Sequence, residues 1–201
     1  MSQAVRRLGM FGGAFDPPHR AHVALAQAAV GQLQLDQLRI FPTGNAWHKS
    51  RALTPAEHRL AMARLAFAAI PEADVDDREI RRDGPTYTVE TLRELHAEFP
   101  QAELFLVMGE DQARAFTGWR DWQAIAGLAT LAVAHRHDDA AATEPAFGLP
   151  AQARVRPLQL PLMPDSATGI RTRLTAGQDA GTLLPAGVAG YIAAHYLYQP
   201  T

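Results

Sequence analysis

Two histidines stand three residues apart in a glycine- and proline-rich segment near the start of the chain, GGAFDPPHRAH at residues 12–22. A strand-like apolar run precedes the segment and an amphipathic stretch follows it, so His19 and His22 are predicted to share one face of a helix at its N-terminus. Gly12 and Gly13 let a ligand approach the backbone, and a helix start offers unpaired N–H donors and the positive end of a dipole. These features predict a site for a polyphosphate.

The segment also has two simpler interpretations. It could be a tight strand-to-helix turn whose histidines face solvent, or His19 and His22 could ligate zinc. Zinc is disfavoured because no nearby carboxylate or cysteine completes a tetrahedral set of ligands. Asp16, the acidic residue of the segment, is as well suited to capping the turn as to contacting a substrate.

Composition narrows the class of partner. The chain has 201 residues, 47% of them hydrophobic, a formal net charge of −2 and no cysteine. This length predicts one domain over residues 1–201, and the small charge favours small-molecule partners over nucleic acid or membranes. Without cysteine, disulfide and thiolate chemistry are excluded. No apolar run near the start is long enough for a signal peptide or a membrane span, so the cytoplasm is the predicted compartment.

Short apolar runs alternate with helical patterns along the chain. Strands are predicted at residues 8–11, 38–42, 104–108, 130–134 and 155–160. This alternation predicts an α/β fold, a Rossmann-like, doubly wound parallel sheet flanked by helices, with a small helical part at the C-terminus. Ligands then bind at the carboxyl ends of the strands. Residues 135–154 show no period and are predicted to form a surface excursion.

Helices are predicted from apolar spacing and from their start signals. Apolar residues at helical spacing run from Val23 to Leu33 and from Leu60 to Ile70, and further helices are expected after Thr88, over 166–176 and over 185–195. Thr54 and Glu57 are predicted to form a capping box, with Pro55 at the first helical position.

Two familiar nucleotide motifs are missing. The glycines around Gly12 do not match the dinucleotide-binding fingerprint, and the chain contains no G-x-x-x-x-G-K-[ST] sequence. An NAD-dependent oxidoreductase and a P-loop enzyme are therefore disfavoured.

Residues 12–22 resemble the [GS]-G-x-F-D-P-x-H-x-G-H signature of the nucleotidyltransferase superfamily, which adenylylates small phosphorylated compounds. The resemblance implies that His19 and His22 contact the ATP phosphates and stabilise the adenylyl group in transfer. Ala21 replaces the usual glycine. The other signature residues implied to line the ATP site are Gly12, Gly13, Ala14 and Phe15.

A second segment, SATGIR at residues 166–171, resembles the superfamily's S-[SA]-T-x-I-R sequence. Standing alone, it would indicate a helix cap with a surface arginine. Together with the first motif, it implies that Ser166 and Thr168 grip a phosphate and that Arg171 neutralises charge on the leaving group.

Three further segments resemble the nicotinate-mononucleotide adenylyltransferase family. Trp47-His48-Lys49 stands where that family has P-P-H-[KR], which makes Lys49 a candidate phosphate contact, although tryptophan replaces a proline. GPTYT at 84–88 resembles [GA]-P-S-Y-T, and GED at 109–111 followed by TGWR at 117–120 resembles G-x-D and a tryptophan. The implied nucleotide-binding residues of these last two segments are Thr86, Tyr87, Thr88, Gly109, Asp111, Trp119 and Arg120.

The resemblance implies the reaction of ATP with nicotinate mononucleotide to give deamido-NAD and pyrophosphate, by in-line attack on the α-phosphorus. The implied catalytic residues are His19, His22, Lys49 and Arg171, and Mg²⁺ is expected to enter with ATP rather than in a protein-held metal site. Asp111 is implied to bind ribose and Trp119 to stack on the pyridine ring. Nicotinamide mononucleotide or phosphopantetheine as the acceptor, and a nucleotide sensor without catalysis, remain alternatives. A monomer or a homodimer is expected.

Overall fold

A parallel sheet forms the centre of the molecule. The computed structural model describes residues 4–44, 52–136, 148–161, 163 and 166–199. The sheet has the strand order β3-β2-β1-β4-β5-β6 and every pair of neighbours is parallel. The strands are β1 (Arg7–Gly13), β2 (Gln37–Pro42), β3 (Ala73–Val75), β4 (Glu103–Met108), β5 (Ala129–Arg136) and β6 (Val155–Leu160).

The strand order reverses between β1 and β4. The chain builds outward from β1 to β3 and then returns to place β4 on the other side of β1. In open parallel sheets, ligands bind in the crevice at the carboxyl edge of such a reversal. β1 and β4 pair as far as Phe11 and Val107, so Gly12 and Gly109 follow at this edge.

Helices cover both faces of the sheet. They are α1 (Arg20–Leu33), α2 (Ala56–Phe67), α3 (Arg78–Arg81), α4 (Thr88–Glu98), α5 (Glu110–Arg114), α6 (Trp122–Leu128), α7 (Ala167–Thr175) and α8 (Ala186–Ala194). Buried residues of α1, α2, α7 and α8 form one core cluster, and those of α4, α5 and α6 form a second. In β1, Met10 belongs to the second cluster and Phe11 to the first, because successive side chains of a strand point to opposite faces.

The predicted α/β architecture is confirmed, with all five predicted strands present. The prediction missed β3, whose three residues are too few to show an apolar run, and the short helices α3, α5 and α6. The proposed excursion at 135–154 begins later than predicted, because His135 and Arg136 still belong to β5. Much of the remainder, residues 137–147, lies outside the described residues.

Two expectations about α2 were wrong. The helix begins at Ala56 with Pro55 as its N-cap, and among the described residues no side chain caps it. Thr54 instead donates its backbone N–H to Asp16 Oδ2 at 3.4 Å. The buried face includes Arg59 rather than Leu60, so one polar residue occupies a position in the apolar stripe.

None of the helices in the described ranges has the length and apolar character needed to cross a membrane.

Candidate active site

The middle of the signature segment, residues 14–19, forms a tight loop between β1 and α1, the signature loop. Phe15 adopts a left-handed backbone conformation (φ 46°) and its buried ring folds back over Gly13. A Cβ atom at Gly13 would lie only 3.0 to 3.3 Å from three atoms of that ring, so a side chain there would displace Phe15. At Gly12, by contrast, an added Cβ would meet no atom of the described residues within 4 Å. The exposed strand end at Gly12 therefore leaves room for a ligand.

The rings of His19 and His22 are in contact at the start of α1. Their ring centroids lie 3.9 Å apart with an interplanar angle of 38°. His19 is the N-cap of α1 and only 6% exposed, and His22 stands three positions later, as the spacing predicts. The two imidazoles therefore lie together at the positive end of the helix dipole.

One hydrogen bond determines the tautomer of His22. Its Nδ1 accepts the backbone N–H of His19 at 3.2 Å, so the neutral ring carries its proton on Nε2 and presents an N–H donor there. Phe15 holds the same ring edge-on at a centroid distance of 5.2 Å. These contacts leave His22 little freedom to rotate.

Asp16 makes its contacts inside the protein. Its side chain is 1% exposed, and Oδ1 accepts the hydroxyl of Tyr198 at 2.5 Å. Oδ2 accepts the Thr54 N–H at 3.4 Å. Burial, followed by the hydrogen bond to Asp16, raises the pKa of the Tyr198 phenol far above its usual value, so the phenol stays a donor. Of the two roles open at the sequence level, these contacts favour the structural one for Asp16.

The C-terminal motif lies against the signature loop. Arg171 donates from Nη1 to the Asp16 carbonyl at 2.7 Å and from Nη2 to Thr168 Oγ1 at 3.0 Å. Ser166 caps α7, since its hydroxyl accepts the Gly169 N–H at 3.1 Å. The helix-cap interpretation is therefore correct for Ser166, whereas Arg171 spans 155 positions of sequence to reach the first motif.

Two of the segments predicted to bind the pyridine nucleotide meet at the start of α4, on the other face of the sheet. Tyr87 is the N-cap of α4 and Thr88 its first residue. The Arg120 guanidinium lies 4.4 Å from the centre of the Tyr87 ring. The half-buried Trp119 packs against Phe116 at a centroid distance of 5.8 Å. The structure thus brings the two segments 84–88 and 117–120 together.

The structure locates two more predicted residues, Asp111 and Thr86, whereas Lys49 lies outside the described residues. Asp111 is exposed in the first turn of α5, the helix that begins after Gly109, its N-cap. Thr86 donates its hydroxyl to the Glu79 carbonyl at 3.5 Å. Lys49, together with Trp47 and His48, lies outside the described residues.

Arg59 was missed by the sequence analysis. It is 2% exposed, and its guanidinium donates to four backbone carbonyls, at 2.9 Å to Ala14, 2.7 Å to Thr43, 3.3 Å to Gly44 and 2.9 Å to Thr54. It fixes the signature loop to the chain on both sides of residues 45–51. An arginine in the apolar stripe of α2 was the available signal, since arginine is rarely fully buried without partners.

Glu79 was missed as well. It is 4% exposed, and Oε1 accepts the Thr91 hydroxyl at 2.8 Å. Burial raises the pKa of this carboxyl to about 7, although the Thr91 hydrogen bond and the charge of Arg82 act in the opposite direction. No sequence pattern marks it, because its burial results from α3 packing beneath the 84–88 loop and α4.

Comparison with known proteins agrees with this geometry. Residues 10–173 match the cytidylyltransferase-like family. A relative named "Probable nicotinate-nucleotide adenylyltransferase" in Albidiferax ferrireducens is 53% identical over 197 residues, which cover 97% of this chain and 99% of the relative. The chain belongs to the nicotinate-nucleotide adenylyltransferase family. Another family member of the same name, in Bordetella petrii, is 45% identical over 97% of this chain and 100% of the relative.

The family fold is also seen in solved structures. Plasmodium falciparum nicotinic acid mononucleotide adenylyltransferase complexed with NaAD has a TM-score of 0.77 at 16% identity, covering 96% of this chain and 97% of that one. The same enzyme complexed with APC has a TM-score of 0.75, also at 16% identity, with the same coverage. At this identity the likeness establishes a shared fold.

Nucleotidyltransferases of this family generally use a divalent metal ion together with ATP. Within the described part of the chain, no group of three or more histidine, cysteine, aspartate or glutamate residues could hold such an ion. Apart from the buried Asp16 carboxylate, the site side chains at the signature loop are imidazoles and a guanidinium, which suit phosphate oxygens, whereas Mg²⁺ prefers oxygen ligands.

Proposed function

We propose that this family member transfers the adenylyl group of ATP to nicotinate mononucleotide, giving deamido-NAD and pyrophosphate in NAD biosynthesis. The hydrogen bond from Arg171 to the Asp16 carbonyl carries the proposal, because it joins the two motifs proposed to bind phosphate into one site beside the paired histidines. The activity for which the 53% identical relative is named, and the near full length over which the two chains align, support the same reaction.

The chemistry requires positioning and charge neutralisation rather than a protein nucleophile. The phosphate of the mononucleotide attacks the α-phosphorus in line, and the bond to the β-phosphate oxygen breaks to release pyrophosphate. His22 donates from Nε2 to a phosphate oxygen, with its ring orientation set by the Nδ1 hydrogen bond. Arg171 neutralises charge on the departing pyrophosphate, with His19 and Lys49 as further phosphate contacts.

The nucleotide lies along the carboxyl edge of β1 and β4. Gly12, Gly13, Ala14 and Phe15 form its floor, and the open space beside Gly12 admits the phosphates. Gly109 and Asp111 follow β4 at the same edge, where Asp111 binds ribose. Ser166 and Thr168 complete the phosphate side at the start of α7.

The acceptor binds at the start of α4. Trp119 stacks on the pyridine ring, and the backbone N–H groups at Tyr87 and Thr88 face the nicotinate carboxylate at the positive end of the α4 dipole. Arg120, held over the Tyr87 ring, adds a positive charge to this corner. Thr86 anchors the loop to Glu79.

Mg²⁺ enters as the complex with ATP, held by the nucleotide's phosphates, where it screens their negative charge. We propose further that residues 1–201 work as one nucleotidyltransferase domain. A cytoplasmic enzyme that is a monomer or a homodimer stays the expectation.

Pyrophosphate release by the purified protein with Mg²⁺–ATP tests the proposal. Nicotinate mononucleotide, nicotinamide mononucleotide and phosphopantetheine are compared as acceptors. We expect strong preference for nicotinate mononucleotide. His19→Ala should lower kcat/KM by a factor of about 100 or more, since general acid and electrostatic contacts of this kind contribute about 10²- to 10⁴-fold.

His96→Ala is the matched control, because His96 is an exposed histidine in the last turn of α4 and should leave activity unchanged. Preference for another acceptor would overturn the assignment of Tyr87, Trp119 and Arg120 while keeping the chemistry. Release with none of the three acceptors would refute adenylyl transfer and favour a nucleotide sensor.

A further inference from the structure

The end of the chain reaches back to the signature loop. Tyr198 lies 182 positions after Asp16, and its hydroxyl donates to Asp16 Oδ1 at 2.5 Å. The carboxylate is 1% exposed, so this contact is shielded from water. The same Asp16 residue accepts Arg171 at its backbone carbonyl, 2.7 Å away. Asp16 therefore receives hydrogen bonds both from α7, through Arg171, and from the segment after α8, through Tyr198.

The tail that carries Tyr198, residues 195–199 after α8, is itself fixed by hydrogen bonds. Its carbonyl accepts the hydroxyl of Thr175 at 3.3 Å, and Thr175 is the last residue of α7, the helix that carries Arg171. The Leu197 N–H donates to the Ile192 carbonyl of α8 at 3.1 Å. Tyr198 adopts φ 59°, a left-handed conformation that is uncommon for an aromatic residue and that surrounding contacts must stabilise.

We propose that Tyr198 is a positioning residue for adenylyl transfer. Its hydroxyl fixes the Asp16 carboxylate, and thereby holds the backbone of the signature loop in the position that aligns His19 and Arg171. The proposal rests on the function proposed above and assigns a role to a residue outside both sequence motifs.

The physical reason is the cost of burying a carboxylate. A buried charge is tolerated when donors satisfy it, and hydrogen bonds to charged groups are the strong ones. The Asp16 Oδ2 atom accepts the Thr54 N–H at 3.4 Å, which is longer than the 2.5 Å hydrogen bond from the Tyr198 hydroxyl to Oδ1. Without the phenol, Asp16 takes up a proton or moves towards water, and either change shifts the loop. A shift of about 1 Å at catalytic groups can cost on the order of 100-fold in rate.

Tyr198→Phe tests this, because it removes the hydroxyl and keeps the ring in the core. Tyr196→Phe is the matched control in the same tail, since Tyr196 is 74% exposed. We expect Tyr198→Phe to raise KM for ATP about tenfold and to lower kcat as well, whereas Tyr196→Phe should keep kcat/KM within about twofold of wild type.

The pH profile separates positioning from simple loss of stability. Removing the donor raises the pKa of Asp16, so the acidic limb of kcat/KM should move to higher pH in Tyr198→Phe and stay in place in Tyr196→Phe. In an Asp16→Asn background the Tyr198→Phe change should cost much less, because the two residues act through one contact. An unchanged pH profile and unchanged kcat/KM, with only a lower Tm, would overturn the proposal.

Two further measurements keep the inference separate from the proposed function. If the wild-type protein releases no pyrophosphate, the proposed function is wrong, and calorimetric binding of Mg²⁺–ATP then tests the role of Tyr198. We expect Tyr198→Phe to bind Mg²⁺–ATP about tenfold more weakly than wild type. Equal binding would overturn the inference. If Tyr198→Phe does not fold, Thr175→Val loosens the tail without touching the loop. Thr175→Val should also lower kcat/KM. An unchanged kcat/KM would contradict a positioning role for the tail.

Discussion

Gly12 and Gly13 are neighbours in sequence, yet the two residues have different reasons for lacking a side chain. At Gly13 the ring of Phe15 occupies the space that a Cβ atom would need. At Gly12 the space is open and faces the carboxyl edge of the sheet, where we place the nucleotide. One glycine therefore serves the packing of the loop, and the other serves the approach of a ligand.

The two alanine substitutions should separate these roles. Gly13→Ala displaces Phe15 and should destabilise the protein by about 1 to 3 kcal/mol, as overpacking does. Gly12→Ala should leave the free energy of unfolding within about 0.5 kcal/mol of wild type and raise KM for ATP, because the methyl group enters the ligand space. Urea unfolding and steady-state kinetics measure the two effects. Equal destabilisation by both changes would contradict this account of the loop.

At the scale of elements, Arg59 joins two segments from earlier in the chain to the start of its own helix, α2. Its guanidinium meets carbonyls of the signature loop (Ala14), of the end of β2 (Thr43 and Gly44) and of the start of α2 (Thr54). Gly44 and Thr54 flank the stretch that includes Lys49. A planar group with five fixed donors can satisfy several carbonyls at once, which a compact ammonium group cannot do.

Arg59→Lys should therefore destabilise the protein by about 2 to 4 kcal/mol, because buried carbonyls lose their donors while the positive charge stays buried. Arg64→Lys, on the exposed side of the same helix, is the control and should change stability by less than about 0.5 kcal/mol. Chemical denaturation of both variants measures the difference. Similar small effects would mean that lysine reaches the same carbonyls.

At the scale of the whole molecule, buried ionisable groups make stability depend on pH. Glu79 lies where α3, the 84–88 loop and α4 meet, with Thr91 as a hydrogen-bond donor and Arg82, Glu94 and Asp76 as the nearby charges. Burial raises its pKa from 4.5 to about 7. Burial would raise the pKa of Asp76, but the hydrogen bonds from Arg78 and the charges of Arg78 and Arg39 together outweigh it and lower the pKa.

The sign of the Glu79 effect follows from linkage. The folded state holds this proton more tightly than the unfolded chain, so its contribution is complete below pH 4.5 and is lost as the pH rises to about 7. Glu79→Gln keeps a neutral acceptor for Thr91 and should gain stability over wild type across that range, by at most about 3 kcal/mol.

Calorimetric unfolding of the wild type and Glu79→Gln between pH 4.5 and 8 measures this gain. Glu57→Gln, an exposed carboxylate at the start of α2, is the control and should run parallel to wild type. A constant difference between wild type and Glu79→Gln at every pH would show that Glu79 does not titrate in this range.

Much of the architecture could be predicted from local pattern. The strands β1, β2, β4, β5 and β6 were predicted because each is a short apolar run. The pairing of His19 with His22 was predicted because residues i and i+3 share one helix face. The family resemblance then pointed to both motifs that we propose to bind phosphate. The predicted capping box at Thr54 and Glu57 does not form. The Thr54 backbone N–H donates instead to Asp16, a tertiary contact that a local sequence pattern does not record.

The sequence by itself determined the longer elements and suggested which residues bind phosphate, since helix and strand periods and turn residues act over a few neighbouring positions. Only the tertiary structure decided that Arg171 and Tyr198 meet at Asp16, that Arg59 joins four carbonyls and that Glu79 is buried. These contacts join segments up to 182 residues apart, and their burial depends on the packing of several elements at once. No periodicity in the sequence encodes that coincidence, because it arises only when the sheet and its helices have assembled.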